Sequence, residues 1–169
     1  MNNPTSFGPV VGVRPRALIL GSMPGVASLR LRQYYGHPHN AFWRILGEIL
    51  GEDLRGMTYA RRLKALKRRR VALWDAIARC RRKGSLDSAI VAEQPNAVLA
   101  LLRNSPSVGA VFFNGRKAQS AFLRRCVNGA GLPSGVDFHC LPSTSPANAS
   151  IRYADKLRRW RRIADYPPA

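Results

Sequence analysis

Acidic residues are scarce in this chain. Nine Asp and Glu stand against 28 Lys and Arg in 169 residues, a formal net charge of +19. A balance so far from zero costs self-repulsion and points to a polyanionic partner, of which nucleic acid is the commonest. An anionic membrane surface would call for a basic amphipathic helix with an exposed apolar face. The arginine-rich stretches here instead alternate with core-forming patterns. Cysteine is scarcer still. Cys80, Cys126 and Cys140 are widely spaced and form no Cys-x-x-Cys pair, so neither a disulfide framework nor a zinc or iron–sulfur ligand set is present. Each reads as a small thiol in a reducing compartment. No apolar run approaches the roughly 18 residues of a membrane span, and no signal-peptide pattern opens the chain. There is also no Gly-x-Gly-x-x-Gly, P-loop or His-Glu-x-x-His sequence, which leaves dinucleotide, nucleoside-triphosphate and zinc-peptidase chemistry without a foothold. The expectation is a monomeric, cytoplasmic protein that uses neither metal nor cofactor.

The length suits one domain, residues 1–169, with one core. Residues 1–14, rich in Asn, Pro and Gly, read as a loose N-terminal arm. Four short apolar runs read as strands: residues 17–20 ended by Gly21, 71–74, 110–113 ended by Asn114-Gly115, and 138–141. Between them, Phe42, Ile45, Leu46, Ile49 and Leu50 fall at helical spacing with Gly51 as the stop. Helices are also expected over 58–70, 96–103 and 116–126, and a closing helix carries Tyr153, Leu157, Trp160 and Ala164 on one face. Residues 22–39 and the basic stretch 80–88 read as loops, and a loop as long as the first is usually functional. Strands alternating with helices predict an α/β fold: a three-layer α/β/α sandwich with a central, mainly parallel four-stranded sheet. In such sheets the ligand site lies beyond the carboxyl ends of the strands. Three unusual segments fall there: 21–40, Asn114-Gly115 and 142–150.

The first of these segments carries Gly21-Ser22-Met23-Pro24-Gly25, then Tyr35 and His37-Pro38-His39-Asn40-Ala41-Phe42-Trp43. It resembles the first motif of the mismatch-specific uracil-DNA glycosylases and, more closely, that of the hypoxanthine-DNA glycosylases, both branches of the uracil-DNA glycosylase superfamily. Asn114-Gly115 after an apolar strand looks like that family's base-reading asparagine. Leu141-Pro142-Ser143-Thr144-Ser145-Pro146-Ala147-Asn148 looks like its DNA-gripping second motif. The similarity runs in order from about residue 15 to 163. It implies an enzyme that flips a deaminated base out of DNA, hypoxanthine first, and hydrolyses its N-glycosidic bond to leave an abasic site. The alternatives are a mismatch-specific uracil or thymine glycosylase and, from another class, a non-catalytic nucleic-acid-binding protein on the same fold.

The resemblance also distributes roles. Met23 stands where the classical uracil enzymes carry Asp and the mismatch-specific ones Asn, and a thioether can neither hold water nor act as a base. Asn40 is therefore implied as the catalytic, water-positioning residue, acting by orientation and electrostatics. Equally, Asn40 precedes a helix and is a good cap. Ser22, Met23, Tyr35 and Asn114 are implied around the base, with Tyr35 stacking on it and Tyr34 as the alternative. A carboxamide such as Asn114 offers an acceptor beside a donor and so matches the lactam edge that deamination creates. It would leave groups unpaired against adenine or cytosine. The competing account of Asn114 is an Asn-Gly turn or a helix cap. Ser143, Ser145 and Asn148 are implied as DNA-phosphate contacts, although Asn148 or Ser150 could equally cap the next helix. Leu141 replaces the His of the classical uracil enzymes, which ranks uracil second. No lysine lies in the three motifs, so no Schiff-base lyase step is expected. Clusters at Arg61, Arg62, 68–70, 79–83 and 158–162 are where DNA-backbone contacts would be sought.

Overall fold

The computed structural model describes residues 3–125 and 131–166. Four strands form one parallel sheet: β1 (Ala17–Gly21), β2 (Val71–Asp75), β5 (Ala110–Asn114) and β6 (Asp137–Leu141), in the order β2-β1-β5-β6. Each is five residues long, and each expected strand is realised to within one residue. β1 and β5 are buried at every position, as continuous apolar runs demand of strands covered on both faces.

Period-two alternation sorts the sheet's side chains into two cores. Ala17, Ile19, Val71, Leu73, Ala110 and Phe112 face one side. There they meet α2 (Phe42–Leu50), α3 (Tyr59–Arg68) and α6 (Tyr153–Trp160) through Phe42, Leu46, Leu66 and Trp160. Leu18, Leu20, Ala72, Val111 and Phe113 face the other side. There they meet α4 (Val98–Asn104) and α5 (Arg116–Arg125) through Val98, Leu102, Ala118 and Phe122. The result is the expected three-layer α/β/α sandwich. Of the expected helix over 116–126, Cys126 lies outside the described residues.

The structure departs from the sequence reading in three places. Residues 3–14 are not a loose arm. Val10 pairs with Leu73 through two backbone hydrogen bonds of 2.8 and 2.9 Å, and Ser6 N–H donates to Ala78 O at 2.8 Å. Phe7 O accepts from the Trp74 indole at 3.0 Å. β2 is an edge strand of the sheet, and an unpaired edge recruits whatever backbone can cover it; turn-forming composition gives no sign of that.

The basic stretch 80–88 is not merely a loop. β3 (Ile77–Arg81) and β4 (Val91–Pro95) form an antiparallel hairpin that contains its first residues. Finally, the long loop 22–39 contains a short helix, α1 (Val26–Leu31).

Candidate active site

Neighbouring strands end in one row. Gly21, the last residue of β1, is in register with Asp75, the last of β2. On its other side Leu20 pairs with Phe113, so Asn114 follows beside Gly21, and Asn114 pairs with Leu141 at the end of β6. Residues in register across a parallel sheet point to the same face. Asp75, Gly21, Asn114 and Leu141 thus form a floor of acid, gap, amide and hydrocarbon. Glycine is required at the gap: a Cβ on Gly21 would collide with the Asp75 carboxylate and meet Tyr35 Oη at 3.0 Å.

Above this floor opens a cavity of about 980 Å³. Every site residue expected from the sequence lines it: Asn40, Tyr35, Asn114, Ser22, Met23, Ser143, Ser145 and Asn148. The three segments, far apart in the chain, do converge.

Asn114 is held by a reciprocal pair of hydrogen bonds. The Thr144 backbone N–H donates to Asn114 Oδ1 at 2.9 Å, and Asn114 Nδ2 donates to Thr144 Oγ1 at 2.9 Å. A backbone N–H can only donate, so the oxygen must face it, and the orientation of the amide is determined. Both bonds run to one residue and so occupy one edge of the carboxamide, the edge on which its donor and acceptor lie side by side. Thr144 O in turn accepts from Ala41 N–H at 3.1 Å. This one threonine, 1% exposed, joins the end of β5 to the start of α2.

Asn40 stands one residue before Ala41, the N-cap of α2. Its Oδ1 accepts from Phe42 N–H at 3.0 Å, satisfying an early amide of α2, while its side chain borders the cavity. Tyr35 has a left-handed backbone, φ 53°, which turns its ring onto Phe42 with centroids 3.7 Å apart and planes 17° from parallel. Its hydroxyl is buried close to Asn114, and among the described residues no hydrogen bond of good geometry reaches it. Burial raises its ionisation well above that of free tyrosine, and Asp75 adds to the effect. Tyr34, the alternative, is 3% exposed; its hydroxyl donates to Gly8 O at 3.1 Å, and it belongs to the core.

Ser22 and Met23 line the cavity with less freedom than the sequence implied. The Ser22 hydroxyl donates to Asp87 Oδ1 at 2.6 Å, and Met23 packs into the second core. In the third segment, Ser143 Oγ accepts from Ser145 N–H, Ser145 Oγ from Ala147 N–H, and Asn148 Nδ2 donates to Ser143 O. The buried Lys156 ammonium donates to Asn148 O at 2.7 Å and tethers this loop to α6. The alternative cap roles are not taken up: Arg152 occupies the N-cap of α6, and no side chain caps it.

Sequence reasoning missed Thr144, Asp75, Asp87 and Arg82. Asp75 accepts from Ser6 Oγ at 2.7 Å. Burial pushes its carboxyl up to about 7, against the pull of Ser6 and of Arg82, with Asp87 adding to the rise. Asp87 is raised as well, by burial, against its bond from Ser22. Arg82 is 2% exposed. It donates to Pro24 O, while Nε and Nη1 find no partner among the described residues. Its charge offsets part of the cost of burying two acids beside the cavity. The available signal was positional: Asp75 ends its strand as Gly21 and Asn114 end theirs. Among the described residues no group of three or more His, Cys, Asp or Glu could hold a metal ion, and no helix is long and apolar enough to cross a membrane.

A parallel sheet that presents a fixed amide, an aromatic ring and a hydroxyl-rich loop at its carboxyl ends defines an α/β protein with its candidate site beyond the strand ends. The comparison with known families makes the class specific. The chain belongs to the uracil DNA glycosylase superfamily, whose family model matches residues 9–164. It is similar to the hypoxanthine DNA glycosylase of Methanosarcina acetivorans, 41% identical over 142 residues, covering 84% of this chain and 86% of that protein. It is likewise similar to the hypoxanthine DNA glycosylase of Methanosarcina barkeri, 46% identical over 112 residues, 66% of this chain and 71% of that one. A solution NMR structure from Methanosarcina acetivorans, provisionally described as a uracil DNA glycosylase, superposes with a TM-score of 0.82 at 36% identity. It covers 96% of both chains.

Proposed function

We propose that this protein is a monofunctional DNA-repair glycosylase, acting as a monomer, that excises deaminated bases and hypoxanthine before others. The observation that carries this reading is the Asn114 amide at the cavity floor, its orientation set by Thr144 on the edge that would read a base. When the base takes the place of Thr144, that edge complements the N–H and C=O of a lactam and mismatches adenine. The relatives named as hypoxanthine DNA glycosylases support the choice of base, as does Met23 in the place of a carboxylate or amide.

In this reading the target nucleotide leaves the duplex and its base enters the cavity, against Tyr35 and Asn114. Asn40 orients a water toward the deoxyribose C1′. As the bond from C1′ to the base nitrogen breaks, its electron pair goes to the departing base; water supplies the hydroxyl to C1′ and its proton to the base. An amide is no general base at neutral pH, so the rate gain comes from orientation and from donors placed where negative charge grows. The hydroxyls and amides of Ser143, Ser145 and Asn148 hold the flanking phosphates.

The test is an excision panel on strands carrying deoxyinosine, deoxyuridine, deoxyxanthosine or a G:T mismatch, scored by alkali-sensitive breakage. Breakage greatest at deoxyinosine and abolished by Asn40→Ala is expected. Breakage greatest at deoxyuridine or the mismatch would assign the uracil or thymine alternative. No breakage above background, with DNA binding intact, would leave a binding protein.

A further inference from the structure

A second, smaller cleft of about 450 Å³ adjoins the cavity. It is lined by Arg158, Arg159, Arg161, Arg162, Asp165, Cys140 and Leu141, and Arg159, Cys140 and Leu141 line the cavity as well. The two recesses are therefore continuous along the end of β6, the outer strand of the sheet. The Trp160 indole donates to Pro142 O at 2.9 Å and holds the last turn of α6 against the third site segment. All four arginines are exposed. Arg158 pairs with Asp155 at 2.7 Å, whereas Arg159, Arg161 and Arg162 have no ion pair among the described residues.

Basic groups of α3 and of the hairpin are placed and partnered differently. α3 leads straight into the start of β2, so its last turn lies at the end of the sheet away from the cavity. There Arg68 and Arg69 are both bonded to Glu52 at 2.7 Å. Arg62 donates to the carbonyls of Met57 and Arg55. In the hairpin, Arg82 is buried.

Uncompensated arginines in a cleft that opens directly from a nucleotide-sized cavity match a run of phosphates. We propose that this cleft takes the phosphodiester backbone of the strand carrying the target base, next to the nucleotide held in the cavity. The inference rests on the cavity being the seat of a nucleotide from DNA, and it singles out one basic cluster among several as the DNA track.

Salt dependence isolates it. Each phosphate contact adds about 0.9 to the slope of log K against log salt on duplex DNA. The Arg161→Gln/Arg162→Gln variant should lower that slope by about 2 on an undamaged duplex between 50 and 200 mM salt. A matched variant on exposed positions towards the last turn of α3, Lys64→Gln/Lys67→Gln, removes the same charge and should leave the slope within about 0.5 of wild type. Thermal melting of both variants confirms that each is folded. Equal losses in the two variants, or none in the cleft variant, would overturn the assignment. Binding to undamaged DNA reads the cleft, while abasic-site formation reads the cavity, so the two ideas fail separately.

Discussion

Asn114 and Thr144, 30 residues apart in sequence, clasp each other through two hydrogen bonds of 2.9 Å, one in each direction. The clasp occupies the edge of the Asn114 amide that would read a base and fixes which way round the amide stands. Thr144→Val removes the hydroxyl acceptor while keeping the shape and the backbone donor. A buried N–H loses its partner, at a cost of about 1–3 kcal/mol. Urea unfolding should register that loss. Excision should fall by about tenfold or more, because the amide, still faced the same way by the retained backbone N–H, loses one of the two bonds that hold it at the cavity floor.

Asn40 carries two separable duties. Its Oδ1 satisfies Phe42 N–H at the start of α2, and its amide borders the cavity. Asn40→Asp keeps the acceptor at a favourable helix start, whereas Asn40→Ala loses it and should cost about 1 kcal/mol. Both should lower single-turnover excision by about tenfold or more, since proper orientation of a reactant is worth at least that. Excision at wild-type rate in the stable Asp variant would assign Asn40 to anchoring the start of α2 alone.

The Asp75 carboxyl makes stability depend on pH with an unusual sign. Its pKa is 3.8 ordinarily and about 7 in the fold. Between those values the folded state binds more protons than the unfolded one, so this group's contribution to stability falls as pH rises from about 4 to 7 and is flat outside that window. Asp75→Asn should remove this share of the fall and leave only that of Asp87, which burial raises as well. Its stability advantage over wild type should grow across the window to an upper bound of about 4 kcal/mol above pH 7. Ser6→Ala removes a bond that favours the ionised form and should move the upper end of the window higher. Urea denaturation at pH 5 and pH 8 measures both.

Gly21→Ala places a methyl group where the Asp75 carboxylate now lies, with Tyr35 Oη close behind. Overpacking a rigid sheet end costs about 1–3 kcal/mol. The floor of the cavity would also rise, so binding of the target base should weaken while binding to undamaged duplex is unchanged. Equal binding of damaged DNA by wild type and variant would place the base away from this floor.

Much of this protein is written locally. Four apolar runs ended by Gly21, Trp74-Asp75, Asn114-Gly115 and Leu141-Pro142 give the strands, and helical spacing between them gives the layers, because burial on a sheet face imposes its period on nearby residues. The cavity's main lining was legible for the same reason: parallel strands bring their carboxyl ends together whatever the spacing along the chain. Folding decided what has no local period. Ser6 meets Asp75 across 69 residues, Ser22 meets Asp87 across 65, and Arg82 lies buried in a stretch that reads as solvated. An exposed sheet edge, a buried charge and a reciprocal amide clasp are each satisfied by whichever group the completed fold brings near. Composition and spacing therefore announced the site, while its proton inventory and the aim of its amide came only with tertiary structure.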